Sequence, residues 1–212
     1  MKRILCYGDS NTWGYEGITA ERFSEEVRWP CVMQKMLGEN YHVYENGMNS
    51  RTTAFGDDLK PYRNGVDEII PALMITEPLD VIVFMLGTND TKSYLGRSGF
   101  IIARGMEMLV QKAQGYFLSQ NKKIPQILIL APIDIAEDIE EKEFGMEFDG
   151  ASVQKIFELR KWYRVVARDN HCEYMDAGTV SFPGEDGIHM SPEGHEALAK
   201  AVACRVKDMI EE

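Results

Sequence analysis

Apolar residues in this chain fall into short continuous runs, separated by longer stretches in which they recur at helical spacing. Five runs predict strands, at 3–7, 42–45, 80–86 and 126–131, with a weaker one at 172–176. The two central runs are continuous rather than alternating, which is typical of strands that are covered on both faces.

Five further stretches predict helices, and they lie at about 28–38, 65–75, 99–120, 152–169 and 191–210. The last begins at Ser191, a favoured N-cap residue, with Pro192 at the favoured first helical position. Strands that alternate with helices predict an α/β protein with a parallel sheet, and the length predicts one domain over residues 1–212. In such sheets, active sites form in the loops at the carboxyl ends of the strands.

One segment departs from this alternation. Residues 137–149, EDIEEKEFGMEFD, contain seven acidic residues and one lysine. A solvated surface is the favoured interpretation of such a charge run, and a lid or an oligomer contact is the alternative.

Composition excludes several classes of protein. The net charge of −11 and the lack of any Lys/Arg run argue against a nucleic-acid-binding surface. No run approaches the ~20 apolar residues that a membrane helix needs, and the first apolar run is too short for a secretory signal. We therefore expect a cytoplasmic protein with four reduced cysteines, of which Cys6 and Cys204 lie in apolar contexts typical of the core. No HExxH or other metal-ligand spacing is present, so no metal site is expected.

Polar loops follow the predicted strands, and a parallel sheet would bring them to one edge. They are GDSN at 8–11, NGMNSR at 46–51, GTND at 87–90 and DGIH at 186–189. Taken singly, each is more often a turn or a helix cap than part of an active site, because Ser, Asp and Asn commonly bond to turn backbone. A single histidine is also more often a surface or structural residue, as we expect for His42, His171 and His195.

Together, the four loops carry complementary chemistry. The Ser10 hydroxyl needs a base to become a nucleophile, and His189 is a suitable base near neutral pH. Asp186 is placed to accept the N–H of the other ring nitrogen and to fix the tautomer. The backbone N–H of Ser10, a backbone N–H of the second loop and the amide of Asn89 supply three donors for an oxyanion. This combination favours a nucleophilic serine over a set of unrelated turns.

The motifs Gly8-Asp9-Ser10, 87–90 and 186–189 resemble blocks I, III and V of the SGNH (GDSL-type) hydrolases. The resemblance spans residues 3–205. Within that family the chain is most similar to the bacterial arylesterase and acetyl-transferring esterase branch, on Arg28-Trp29, SRTT at 50–53, MLGTNDTK at 85–92 and Asp176-Ala177-Gly178.

The resemblance implies a three-layer α/β/α sandwich with a flavodoxin-like, five-stranded parallel sheet, serine esterase chemistry and no cofactor. By position, it implies Ser10 as nucleophile, His189 as base and Asp186 as its orienter. It also implies an oxyanion hole formed by the N–H groups of Ser10 and Ser50 and by Asn89.

Two positions depart from the family pattern. Asn11 stands where the family usually has Leu, which changes the packing next to the nucleophile. Ser50 stands where the family usually has Gly, so a side chain projects near the site while the backbone N–H is kept.

Three residues are candidates for substrate contacts: Trp13, Lys92 and Asn11. In the resembling branch the tryptophan narrows the acyl pocket, which implies acetyl and other short acyl groups, although Trp13 would also serve to pack the turn. Surface ion pairing is the favoured role for Lys92. Pairing with Asp9 or Asp90 is the favoured role for Arg51.

The leading hypothesis is a serine esterase that hydrolyses short-chain esters through a Ser10 acyl-enzyme, with transfer to alcohols or peroxide as a further activity that the resemblance implies. The enzymatic alternative is a sugar O-acetyl deacetylase, and the non-enzymatic one is a flavodoxin-like binding module. A small-molecule ester is the expected partner. Because the branch often forms oligomers, a homo-oligomer is a further expectation.

Overall fold

The computed structural model describes residues 1–211 and contains one five-stranded sheet. The strands are β1 (Lys2–Gly8), β2 (Tyr41–Gly47), β3 (Val81–Met85), β4 (Gln126–Ala131) and β5 (Glu173–Asp176). All neighbouring strands are parallel, in the order β2-β1-β3-β4-β5. All five predicted strands are therefore confirmed, as is the parallel, flavodoxin-like sheet.

Six α-helices accompany the sheet: α1 (Ser10–Trp13), α2 (Trp29–Leu37), α3 (Gly65–Thr76), α4 (Gly99–Ser119), α5 (Gly150–Asp169) and α6 (Pro192–Glu211). The last five match the predicted stretches. Ser191 caps α6 as expected, because its Oγ accepts the Gly194 N–H at 3.1 Å. Periodicity missed α1, since four residues are too few to show a helical repeat.

The three central strands, β1, β3 and β4, are buried on both faces, and their alternate side chains enter two separate cores. Leu5 and Tyr7 of β1 pack in one core with side chains of α3, α4 and α5. Ile4 and Cys6 pack in the other core with side chains of α2 and α6. This three-layer α/β/α sandwich explains why the central strands read as continuous apolar runs.

The strand register places the functional loops at one edge. Gly8 at the end of β1 pairs with Gly47 at the end of β2 and with Met85 at the end of β3. The loops after these three strands therefore start at the same level, as an open parallel sheet requires for a shared site.

The cysteines and the helices can be compared with the expectations from composition. All four cysteines are unpaired, but Cys204 is exposed rather than in the core, because it lies on the outer face of α6. Within residues 1–211, no helix is long and apolar enough to cross a membrane.

Candidate active site

A tight strand-to-helix turn presents Ser10 as the first residue of α1. Asp9 caps this short helix, since its Oδ1 accepts the Asn11 N–H at 3.0 Å. A Cβ at Gly8 would lie 2.1 Å from Thr12 Oγ1, so only glycine lets the helix start this close to the strand. Burial raises the pKa of Asp9 to about 6, although the hydrogen bond from Asn11 acts to lower it.

His189 lies between Ser10 and Asp186, and all three side chains are buried. Its Nε2 is 2.9 Å from Ser10 Oγ, and its Nδ1 is 2.5 Å from Asp186 Oδ2. These distances are within hydrogen-bond reach for a nucleophile, a base and the group that orients the base. The group at hydrogen-bond distance from Nδ1 is thus the Asp186 carboxylate and not a backbone carbonyl.

The Asp186 carboxylate is held by its own loop. Its Oδ1 accepts the backbone N–H groups of Ile188 at 3.0 Å and His189 at 2.9 Å. Burial acts to raise the pKa of Asp186, but the hydrogen bonds and charge of His189 and the two backbone N–H groups outweigh it, so the pKa is lowered. Asp186 is therefore ionised at neutral pH and can hold a proton on Nδ1 of His189.

Asn11 connects the nucleophile turn to the histidine loop. Its Nδ2 donates to the Ile188 carbonyl at 3.1 Å, and its Oδ1 accepts the Met190 N–H at 2.9 Å. The two residues that Asn11 bonds, Ile188 and Met190, directly precede and follow His189 in sequence. Asn11, which stands where the family usually has leucine, therefore ties the two loops together through hydrogen bonds. Its amide is bonded to the protein, although the residue lines the cavity at Ser10.

The oxyanion side of the site is built by the loops after β2 and β3. Ser50 has a φ of 64°, in the left-handed region that favours glycine, which explains the glycine of the family pattern at this position. Asn89 Nδ2 donates to the Arg51 carbonyl at 3.2 Å, and the second N–H of this amide stays available. Ser10, Ser50 and Asn89 line one cavity, so the predicted donors are brought together.

Arg51 braces this loop differently from the prediction. Its Nη1 donates to the carbonyls of Gly8 at 2.8 Å and Asn46 at 2.6 Å, tying the ends of β1 and β2 together. The predicted ion pair with Asp9 or Asp90 is absent from residues 1–211, because the guanidinium is directed to two backbone carbonyls and to Asn46 Oδ1 instead.

Asp90 also connects two loops of the site, because it lies after β3 and bonds to Thr53 in the loop after β2. It accepts the backbone N–H of Thr53 at 2.8 Å and the Thr53 hydroxyl at 2.7 Å, and lies 3.5 Å from the Arg97 guanidinium. Complete burial raises its pKa to about 7, against the lowering effect of the Thr53 hydrogen bonds.

The cavity at Ser10 has a volume of about 250 Å³ and two kinds of wall. Tyr15, Phe144, Phe148 and Ile188 form an apolar wall. The Tyr15 ring centroid lies 4.3 Å from that of His189, and the Phe144 centroid lies 5.4 Å from it. Two aromatic rings therefore restrict the imidazole and cover it from solvent.

The second wall is charged and centres on Lys92, whose Nζ lies 2.6 Å from Glu147 and 3.5 Å from Asp57. The prediction of ion pairing for Lys92 is correct, but the prediction of a surface position is wrong, since the residue is 1 % exposed. Its neighbours come from residues 57 and 147, far away in sequence, so local pattern gave no sign of its burial.

Comparison with known proteins agrees with this geometry. Residues 6–197 match the model of the GDSL-like lipase/acylhydrolase family. The chain belongs to this family. The predicted SGNH fold and the predicted class, a carboxylic ester hydrolase domain, are confirmed at that level.

Two solved structures show how closely the domain follows its relatives. An arylesterase of M. smegmatis is 35 % identical, with a TM-score of 0.92 over 99 % of this chain and 100 % of that chain. A carbohydrate acetylesterase from Sinorhizobium meliloti is 34 % identical, with a TM-score of 0.92 and the same coverage.

A curated relative is a larger protein. The acetylxylan esterase of Xylanibacter ruminicola is 26 % identical over 220 residues, which cover 97 % of this chain but 43 % of that protein. The chain thus spans less than half the length of this relative.

Trp13 does not line the cavity at Ser10, which corrects its predicted role as the wall of the acyl pocket. Trp13 instead lines an adjoining cleft, since the backbone of α1 at Trp13 packs against Gly47 at the end of β2 and the side chain is placed beyond the cavity. Residues that touch the cavity instead are Tyr15, Phe144 and Phe148.

The acidic segment 137–149 supplies part of the site. Its acidic side chains at 137, 138, 140, 141 and 143 are exposed, in line with the favoured interpretation, but Phe144, Glu147 and Phe148 line the cavity. The Ala136 N–H donates to the Gly187 carbonyl at 2.8 Å, which anchors the start of the segment on the histidine loop. Two phenylalanines within an acidic run were the available signal for this role.

Gly17 is a further site residue that motif reading missed. A Cβ there would lie 2.3 Å from Asp186 Oδ2, so the chain at Gly17 packs directly on the carboxylate that is bonded to His189. Among residues 1–211, no cluster of three or more His, Cys, Asp or Glu side chains is arranged to hold a metal ion.

Proposed function

We propose that this domain is a serine esterase that hydrolyses short-chain carboxylic esters through an acyl-enzyme on Ser10. The observation that carries the proposal is the line from Ser10 Oγ through His189 to Asp186, with distances of 2.9 and 2.5 Å, at the base of a partly apolar cavity.

In the first half-reaction Ser10 Oγ attacks the ester carbonyl carbon while His189 Nε2 takes the hydroxyl proton. The carbonyl oxygen becomes an oxyanion and accepts hydrogen bonds from the N–H groups of Ser10 and Ser50 and from Asn89 Nδ2. The C–O bond to the alcohol then breaks, and the alcohol leaves with the proton from His189.

In the second half-reaction water attacks the acyl-enzyme, and His189 takes one of its protons. The second tetrahedral intermediate collapses, the carboxylic acid leaves and Ser10 Oγ recovers its proton. An alcohol that enters the cavity in place of water would give a new ester, and peroxide would give a peracid. The apolar wall of the cavity supports entry of the alcohol, whose alkyl part it can bury. Asp186 stays ionised throughout and stabilises the imidazolium.

The size of the cavity and its charged wall support short acyl groups. Each additional CH₂ gains about 0.8 kcal/mol only where it is buried against apolar atoms, and Lys92 and Glu147 do not offer that surface. We expect rates on aryl esters to fall steeply beyond butyryl. Equal rates on acetyl and octanoyl esters would contradict this.

The deciding experiment is labelling with a fluorophosphonate probe followed by intact-mass measurement. The expected result is one adduct per chain in the wild type and in Ser119→Ala, a control at the exposed end of α4, and none in Ser10→Ala. A folded wild-type protein that resists the probe would refute the proposal and favour a non-catalytic binding module.

Deacetylation of sugars is the second candidate function. It is favoured by the adjoining cleft, where Trp13 lies beside polar side chains, and by the similarity to the S. meliloti protein, which is a carbohydrate acetylesterase. A kcat/KM on acetylated xylo-oligosaccharides well above that on aryl acetates would support it.

A further inference from the structure

The charged wall of the cavity at Ser10 contains one more carboxylate than its buried lysine needs. Lys92 Nζ lies 3.5 Å from Asp57, whose side chain is fully buried, and 2.6 Å from Glu147, whose side chain is 29 % exposed. Either carboxylate alone would neutralise the lysine. Glu147 is therefore not required to keep Lys92 paired, although it lines the cavity.

Asp57 is the carboxylate that is fixed to the lysine. Its Oδ1 accepts the Leu59 N–H at 3.0 Å, and its Oδ2 accepts the Tyr94 hydroxyl at 2.7 Å. Burial acts to raise the pKa of Asp57, but these hydrogen bonds and the charge of Lys92 outweigh it, so the pKa is lowered. Asp57 is therefore ionised at neutral pH and stays paired with Lys92 when Glu147 is replaced.

The main chain holds Glu147 at the cavity independently of its side chain. Its carbonyl accepts the Ser93 N–H at 2.9 Å and the Ser93 hydroxyl at 3.2 Å. Its Oε1 lies 3.7 Å from Nζ of Lys60, a half-exposed residue, so this outer ion pair contributes little to stability. A substitution at position 147 thus leaves the backbone contacts and the buried ion pair in place.

Glu147 interrupts the apolar side of the cavity. Phe144 and Phe148, close to it on either side in the chain, line the cavity together with Tyr15 and Ile188. An alkyl chain that lies along these side chains gains free energy with each buried CH₂ group. Where the chain reaches Glu147, it must displace water from a carboxylate to which it offers no hydrogen bond, and that is costly.

We infer that Glu147 is the residue that limits the length of the alkyl chain that the cavity accepts. The inference rests on the proposed function, because the chain belongs to an ester bound at Ser10, and it assigns the limit to one side chain. The same cost excludes a long acyl chain and a long alcohol chain, so the two halves of the ester are tested separately.

The test measures kcat/KM of the wild type and of Glu147→Leu on two series of esters. The first series is p-nitrophenyl esters from acetyl to octanoyl, and the second is acetates of alcohols from ethanol to octanol. Leucine offers apolar surface in place of the carboxylate, so the hexanoyl-to-butyryl ratio of kcat/KM should rise about fifteenfold, or about fourfold for each of the two added CH₂ groups. A rise in the hexyl-to-butyl ratio of the second series would instead place the alcohol chain against Glu147.

Two further variants serve as controls. Glu141→Leu makes the same change in the same segment, at an exposed position outside the cavity, and should leave both ratios unchanged. Glu147→Gln keeps the shape of the side chain and an acceptor for Lys92, and a neutral amide costs less to bury than a carboxylate. Its ratio should rise about twofold to fivefold, which keeps the test decisive if thermal unfolding shows that the leucine variant is not folded.

The outcomes separate this inference from the esterase proposal. Unchanged ratios in both series for both variants of Glu147 would overturn the inference, and so would an equal rise in Glu141→Leu, which would assign the effect to the charge of the segment. Either result leaves the esterase proposal intact as long as the wild type hydrolyses the acetyl esters. A wild type that is inactive on every ester of both series would instead refute the proposed function.

Discussion

The Asn11 tether allows the sharpest prediction, the effect of Asn11→Ala. This substitution removes the bond to the Ile188 carbonyl and the bond from the Met190 N–H. Both backbone groups lie in a buried loop, and each unsatisfied buried group costs about 1–3 kcal/mol. We expect a loss of about 4 kcal/mol in the free energy of unfolding, the middle of the summed range.

For a domain of this size, 1 kcal/mol shifts Tm by about 2–4 °C, so Tm should fall by about 8–16 °C. Activity should fall as well, because the two bonds bracket His189, whose Nε2 must stay 2.9 Å from Ser10 Oγ. A displacement of about 1 Å at such a contact can cost about 100-fold in rate. We therefore expect kcat to drop at least tenfold at a temperature where the variant is folded.

The control for this prediction is Asn170→Ala. Asn170 is also buried and hydrogen-bonded, to Val166 and Gln111, but it follows α5 at the opposite edge of the sheet. Thermal unfolding and ester hydrolysis are measured for both variants. The control should lose stability but keep kcat. Equal kcat values in the two variants, or a Tm of Asn11→Ala within 2 °C of the wild type, would refute the tether as a positioning device.

Three further predictions concern the surroundings of the site. Gly17→Ala places a Cβ 2.3 Å from Asp186 Oδ2, so the carboxylate must move and kcat should fall more than tenfold, measured with an aryl acetate. Burial raises the pKa of Asp90 to about 7 in the folded protein, against about 3.9 in the unfolded chain. The stability that the protonated Asp90 carboxyl contributes is therefore complete below pH 3.9 and is lost as the pH rises to about 7. In urea unfolding between pH 4 and 8, Asp90→Asn should therefore gain stability relative to the wild type as pH rises. Lys92→Met leaves the buried Asp57 without its cation and should lose about 3–5 kcal/mol, of which adding Asp57→Asn should restore a part.

Each of these predictions has an outcome that contradicts it. Gly56→Ala, where a Cβ meets nothing within 4 Å, controls for the glycine change, and equal activities of the two glycine variants would exclude the contact. A pH-independent stability difference would show that Asp90 titrates alike in both states. No recovery in the double variant would show that Lys92 acts through packing of its stem alone.

The fold could be predicted from sequence because its signals are local. Each strand that is buried on both faces is a continuous apolar run, each long helix shows its own period, and α6 also shows its N-cap. The placement of Ser10 beside His189 could be predicted as well, since the residue types in the four loops are few and their chemistry complementary. Helix α1 was not predicted, because its four residues are too few to show a helical repeat.

The cavity walls could not be predicted, because they depend on contacts between distant segments. Sequence alone predicts a surface position for Lys92, because nothing near it in the chain shows that Asp57 and Glu147 lie beside it. Trp13 lies three residues from Ser10, yet it lines the adjoining cleft and not the cavity at Ser10. Phe144 reaches His189 only because the start of the acidic segment is anchored on the histidine loop.

The loops of the site are bound to one another rather than to the sheet alone. Asn11 ties the loop after β1 to the histidine loop, Arg51 ties the loops after β1 and β2, and Asn89 ties those after β2 and β3. The residues proposed as nucleophile, base and oxyanion donors are therefore placed by a single connected set of hydrogen bonds. In such a set the loss of one bond loosens the partners of the next, so energies of paired substitutions do not add. Asn11 stands where the family usually has Leu, so one link of this set is a hydrogen-bonded connection that a leucine side chain could not make.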